Sequence, residues 1–240
     1  VPDALDLPLH WRKPRTIFVN SMSDLFHDAF PDAYIWDVLM VMMLARQHRY
    51  VILTKRAARM RAFFKARASE WYAKNPDHVT LGVSVGTRAR RGDIEVLRDI
   101  PAAGHMVSFE PLLEDLGDVD LSGIDVAAIG GESGPGARPC ALEWIERLIE
   151  RCRAARCNPF VKQLGAYVVS EERTAPAELM AHPERLTAAD RSPNGEVWAW
   201  RMGLTDRKGS DPAEWPERLR VRELPRRMLI PDAAAEARHG

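Results

Sequence analysis

The stretch "DVAAIGGESGPGARPCALEW", residues 125–144, decides how the chain is read. Its opening run, Val126-Ala127-Ala128-Ile129, is wholly apolar and short, as expected of a strand covered on both faces in a parallel sheet. The run stops at Gly130-Gly131, a carboxylate follows at Glu132 with Ser133 behind it, and a helical pattern begins at Ala141. Glycines at a strand end remove side chains where the backbone must come close to something, and the amides of such a turn can hold an anion or a carboxylate. Glu132 can accept hydrogen bonds from an amine or a ribose, and Arg138 can pair with a carboxylate or phosphate. The spacing is not G-x-G-x-x-G and the helix starts too late, so the stretch is not a dinucleotide fingerprint.

The strand-then-helix pattern recurs on both sides. "TIFVNS" (16–21) precedes a helical pattern from Pro31 to Gln47, and "YVILTK" (50–55) precedes one from Ala57 to Lys74 striped by Met60, Phe63, Phe64, Trp71 and Tyr72. "VTLGVSV" (79–85) leads to a helix over Gly92 to Arg98, "HMVSFEPL" (105–112) to a loop, and the central stretch to a helix from Ala141 to Arg156. "NPFVKQLG" (158–165) closes the series. Six strand-like runs, mostly separated by helices, describe an α/β protein built from βα units. Residues 1–168 form the expected core. Residues 170–195 read as loop, with Pro176, Pro183 and Pro193; residues 169–228 form an irregular extension whose Trp198, Trp200 and Trp215 pack in part on the core. Residues 229–240 are expected to be a disordered tail.

Composition bounds the class. The chain has 240 residues, 46% of them hydrophobic, enough for a full core, and 34 Lys plus Arg balance 34 Asp plus Glu. Net charge therefore argues neither for nor against nucleic acid. Three cysteines, Cys140, Cys152 and Cys157, suit a reducing compartment, and no apolar stretch approaches the roughly 20 residues of a membrane span. A cytoplasmic location, with no membrane partner, is the expectation. Cys152 and Cys157 are poorly spaced for a metal, so no metal ligand is assigned among them.

In parallel α/β folds, ligands gather at the carboxyl ends of strands. Polar residues fall there in each unit: Asp24 after the first strand, Lys55 after the second, Ser84 at the third, Glu110 at the fourth, Gly130 to Ser133 at the fifth, Lys162 and Gln163 on the sixth. Convergence of these groups on one rim is the expectation. Each has a plainer alternative. Asp24 can cap a helix, His27 can be a surface histidine, and Lys55 can open a solvated helix face. Glu110 is costly at the end of a buried strand unless partnered, and Lys162 is the candidate partner. Lys55 to Lys74 holds seven Lys or Arg against Glu70 alone, which reads either as a nucleic-acid footprint or as the solvated side of an amphipathic helix.

Together, "SMSDLFH", "VILTKR", "LGVSV", "SFEPLL", "IGGESGPGARP" and "FVKQLG", with the later "DRKGSDPAEWPERLRVRELP", resemble a phage and bacterial three-cysteine-motif family of unknown function related to radical SAM enzymes. The likeness covers residues 7 to 226. It implies a partial (βα) barrel of the TIM or radical SAM type, here with about six parallel strands. It also implies S-adenosylmethionine and a [4Fe-4S] cluster as cofactors, the cluster held by three cysteines of an upstream segment that is not in this sequence. Two further upstream strand units would bring six to the eight of a complete barrel. The Val at position 1 agrees with that arithmetic, so this polypeptide alone is expected to lack the radical step.

By position, the resemblance assigns Gly130, Gly131, Glu132 and Ser133 to the cofactor. Glu110 and Lys55 are then catalytic candidates, and Asp24, Ser84, Arg138, Lys162 and Gln163 substrate-binding ones. The substrate is open, with nucleic acid among the choices. A different class of function, a nucleic-acid or protein partner without turnover, would use the basic helix and the rim. A hydrolase using Glu110 and His27 ranks last, because no nucleophile–base pair appears at motif level.

Overall fold

The apolar runs become strands at the expected places. The computed structural model describes residues 5–20, 22–73, 76–171, 186–188, 200–225 and 228. Six strands, β1 (Thr16–Val19), β2 (Arg49–Thr54), β3 (Val79–Ser84), β4 (Gly104–Phe109), β5 (Val126–Gly130) and β7 (Asn158–Gln163), form one parallel sheet. Its order is β1-β2-β3-β4-β5-β7, the sequential order of an incomplete (βα) barrel. β3 and β5 are buried at every residue, which is why their sequences are apolar without alternation. β1, paired on one side only, is more exposed, and Phe18 remains 44% accessible.

Contacts divide the chain into two units. The first draws on residues within 1–84, 92–106 and 224–240, the second on 85–91 and 107–223. In the first unit, α1 (Leu7–His10), α2 (Asp32–Leu44), α3 (Ala57–Ala66), α4 (Ala68–Ala73) and α5 (Gly92–Arg98) accompany β1 to β3. Its core is aromatic: the Phe26 and Phe63 rings meet at 5.8 Å, and Phe64 and Trp71 at 4.8 Å. The expected Pro31–Gln47 helix is shorter, because Pro31 takes an extended backbone as the N-cap rather than entering the first turn. The expected Ala57–Lys74 helix is two helices, broken where Arg67 leaves helical geometry with its guanidinium 4.4 Å over the Phe63 ring. Lys74 lies outside the described residues.

In the second unit, α6 (Leu142–Ala155) buries Leu142, Trp144, Ile145, Leu148, Ile149 and Cys152. It ends at Arg156 in the left-handed region, where the Cys157 amide donates back to the Cys152 carbonyl, a common way of closing a helix. A second sheet was not foreseen. It runs β6-β8-β10-β9, from β6 (Cys140–Ala141), β8 (Val168–Ser170), β9 (Leu186–Ala188) and β10 (Trp200–Met202). Thus part of the stretch read as loop, 170–195, is a strand; the remainder of it, Trp198 and the tail 229–240 lie outside the described residues. The second edge of β7 is covered by residues 221–223: Val161 N–H donates to the Val221 carbonyl and Glu223 N–H to that of Pro159, at 2.8 and 2.9 Å. Covering an edge this way removes a template for aggregation. Trp215 is buried, as its apolar bulk suggested.

β5 and β7 run so close at their carboxyl ends that side chains do not fit between them. A Cβ on Gly131 would overlap the Leu164 carbonyl oxygen and come within 2.9 Å of Cys140 Cβ. Gly131→Ala is expected to destabilise the second unit by about 1–3 kcal/mol, the usual cost of overpacking, read as a lowered thermal midpoint with α/β circular dichroism retained.

Candidate functional site

The first unit gathers polar groups at the ends of β1 and β2. Asp24 Oδ1 accepts from Thr54 Oγ1 at 2.6 Å and from the Phe26 amide at 3.0 Å, while Oδ2 accepts from the Lys55 amide at 3.0 Å and Arg56 Nη1 at 2.9 Å. Its side chain is 15% exposed. Burial pushes the carboxyl up, but the hydrogen bonds from Thr54, Lys55, Phe26 and Arg56 together outweigh it and hold the group below the ordinary aspartate value. Asp24 does not cap α2; it ties the turn after β1 to the end of β2. Lys55 exposes its side chain there, and Ser84 is buried at the end of β3. His27 is exposed and accepts the Ala29 amide on Nδ1, a local turn contact.

Arginines of the basic run are matched by acids within the same unit. Arg59 donates to the Phe26, His27 and Phe30 carbonyls and lies 3.4 Å from Asp32. Arg61 pairs with Asp99 at 2.9 Å and Arg67 with Asp32 at 3.5 Å. These arginines hold the unit together, in keeping with an amphipathic helix whose charged side serves its own fold.

The second unit brings Glu110, Lys162, Gln163 and the glycine turn together. Glu110 follows β4, joined to Pro111 by a cis peptide. Ser108 Oγ donates to Glu110 Oε2 at 3.2 Å. Lys162 Nζ stands 3.1 Å from Oε1, yet off the direction of a hydrogen bond, so this solvent-shielded oxygen has a charged neighbour and no aligned donor. The two side chains reach each other over β5 because Gly130 leaves room. A Cβ there would meet the Gln163 carbonyl at 3.0 Å and Glu110 Oε1 at 3.2 Å. Gln163 Nε2 donates to the Gly131 carbonyl at 2.8 Å. The requirement for glycine at both positions is thus accounted for by this chain's own atoms.

Glu132 and Arg138 close the turn on itself. Arg138 donates through Nε to Oε2 and through Nη2 to Oε1, each at 2.8 Å, and its amide reaches Oε2 at 2.9 Å. The Arg138 side-chain hydrogen bonds, then its amide, draw the Glu132 carboxyl down to about 2. Ser133 is exposed beyond this clasp.

The residues present do not fit an iron–sulfur cluster. Cys140, Cys152 and Cys157 are all buried, and no group of three or more His, Cys, Asp or Glu able to hold a metal exists among the described residues. Burial and the Glu143 charge raise the Cys140 thiol to about 12, and the hydrogen bond between Cys157 and Cys152, then burial, raises the Cys157 thiol. Thiols held protonated are poor ligands. No described helix is long and apolar enough to cross a membrane. Sequence reasoning missed Thr54 and Arg56 as holders of Asp24; the hydroxyl at the end of an apolar strand was the available signal.

A family model described as Protein of unknown function (DUF5131) matches residues 1–220. No curated protein and no solved structure matches the chain.

The Asp24 geometry fixes a pH dependence. A carboxyl lowered on folding contributes stability that is complete above its unfolded value, about 4, and is lost as pH falls through the folded value. Asp24→Asn should cost about 2 kcal/mol at neutral pH, solvent keeping it at the low end for four charge-assisted bonds. Thermal melts of the two proteins should converge as pH falls well below 4.

Proposed function

We propose that this chain, which belongs to the DUF5131 family, is a ligand-binding (βα) protein of radical SAM type. Its second unit takes the amino-acid end of S-adenosylmethionine at the carboxyl ends of β4, β5 and β7. The observation that carries this reading is Glu110 Oε1, shielded from solvent, beside an ammonium, and without an aligned hydrogen-bond donor. A buried carboxylate oxygen in that condition favours an incoming donor, since leaving it unsatisfied costs about 1–3 kcal/mol or more for a charge. A ligand ammonium supplies the donor, and Lys162, exposed over 57% of its side chain, can turn to the ligand carboxylate.

Gly130 keeps a side chain away from the pair, Gln163 fixes the glycine turn, and Glu132, Ser133 and Arg138 border that turn. When bound, S-adenosylmethionine supplies an activated sulfonium for group transfer. Reductive cleavage would need a cluster, and the described residues offer no ligand set for one. Glu110 is also proposed to hold a substrate proton at Oε1 or Oε2. In the first unit, Lys55 is proposed as an anion-pairing cation, with Asp24 positioning its backbone and Ser84 closing the strand end.

Calorimetric titration of the 240-residue chain with S-adenosylmethionine tests the reading. Saturable binding is expected, weakened about ten-fold or more by Glu110→Gln and less by Lys162→Met, since a charge-assisted contact is worth about 1.5–3 kcal/mol. An unchanged affinity in a folded Glu110→Gln protein, or no heat with the parent chain at millimolar ligand, refutes it.

A further inference from the structure

In the first unit, the segment that leads into β1 is held largely by one imidazole. α1 buries none of its residues, and Leu7 and Leu9 stay 42% and 40% exposed. Apolar burial therefore does little to fix this part of the chain. Its polar attachments converge on His48, which precedes β2 and is fully buried. Arg15 N–H donates to His48 Nδ1 at 3.1 Å, and His48 Nε2 lies 2.9 Å from the Pro8 carbonyl. The Trp11 ring meets the same imidazole edge-on at 5.8 Å. Gln47 Nε2 adds longer contacts to the Trp11 and Pro8 carbonyls, at 3.3 and 3.5 Å.

The two contacts assign the tautomer. Nδ1 accepts an amide proton, so it carries none, and the carbonyl at Nε2 requires the proton there. His48 is thus neutral while it clamps the segment. A second proton has only Nδ1 to go to, where it removes the acceptor and faces the Arg15 N–H. His78, whose ring also meets Tyr50, is built differently. Its Nε2 lies 2.8 Å from the Met42 carbonyl and its Nδ1 3.3 Å from Asp77 Oδ1, so a protonated His78 keeps a partner for each nitrogen.

The groups around His48 do not compensate a proton on it. From the leading segment, the Arg15 guanidinium lies 4.4 Å over the Trp11 ring, and Arg12 and Lys13 are exposed between those two residues. On β2, Arg49 follows directly, and Tyr50 keeps its proton because burial pushes its hydroxyl up to about 12. Asp6 sits 3.5 Å from His10, and Asp77 pairs with Arg46 at 2.6 Å. No carboxylate lies within ion-pair range of His48 among the described residues.

We propose that His48 is a pH-operated latch: neutral, it holds residues 7–15 against the start of β2, and protonated, it lets them go. Once released, the ring reaches water and takes a proton freely. The released form therefore binds one more proton than the clamped form, and falling pH favours release over the histidine range, about pH 8 to about pH 5. The latch is closed above that range and lost below it. This window lies above the one set by Asp24, and the device belongs to the first unit, independent of the ligand reading.

Hydrogen exchange of the full chain, read by mass spectrometry and corrected for the intrinsic pH dependence of amide exchange, tests the latch. Protection of residues 8–16 should fall about ten-fold or more between about pH 7 and about pH 5, since one proton taken up is worth up to a factor of about ten per pH unit. Protection of β3 should hold. His48→Asn, which keeps an acceptor near the Nδ1 position and takes no proton, should give a flat profile, and His10→Gln should fall as the parent does. Constant protection in the parent, a parallel loss in β3, the same fall in folded His48→Asn protein, or its disappearance in His10→Gln overturns the proposal. If His48→Asn does not fold, nitrogen NMR of the parent decides. Protonation of His48 must track the loss of protection, and a ring still neutral while residues 8–16 open overturns the latch.

Discussion

Much of the second unit depends on how closely the chain passes itself at the end of β5. Gly131 lies against the Leu164 carbonyl, Gly165 against Gly131 and Glu132, and Gly209 against Gly165. Each contact is between backbones, and none leaves space for a Cβ. Because of it, β5 and β7 stay paired through Gly130↔Gln163 after a register shift, and the segment 205–210 can dock on both. One residue earlier, the missing side chain of Gly130 lets Glu110 and Lys162 meet over the strand.

Charge follows a consistent rule within each unit. Carboxylates are given donors: Asp24 has four, Glu132 has three from one arginine, and Asp206 and Glu214 serve loop amides. Such acceptors are cheap to bury only when so supplied. Glu110 departs from the rule, since one of its oxygens has an ammonium beside it but no aligned donor. Glu110 Oε1 marks where a ligand is proposed to enter.

The strands were legible because their signal is local. An all-apolar run such as Val126 to Ile129 has to be covered on both faces wherever it sits. Helix ends were less legible: Pro31 proved to be a cap with extended backbone, and Arg67 a break, where its side chain finds the Phe63 ring and Asp32. The sheet built on Cys140–Ala141, Val168–Ser170, Leu186–Ala188 and Trp200–Met202 was hidden, its strands being too short to show a period. At the site, Glu110 with Lys162 was legible as a costly carboxylate seeking a partner. The role of Gly130 was not, since the atoms that fill its space come from Glu110 and Gln163.

By itself, the sequence determined an α/β chain of repeated βα units, with polar residues at the strand ends and family membership over residues 1–220. Those properties follow from residue type and spacing, which act over a few neighbours. Only the tertiary structure decided which charges cancel. It set arginines of the basic run against acids of their own unit and folded Arg138 back on Glu132. Coulomb energy depends on distance and on the solvent between charges, and neither is written in the order of residues along the chain.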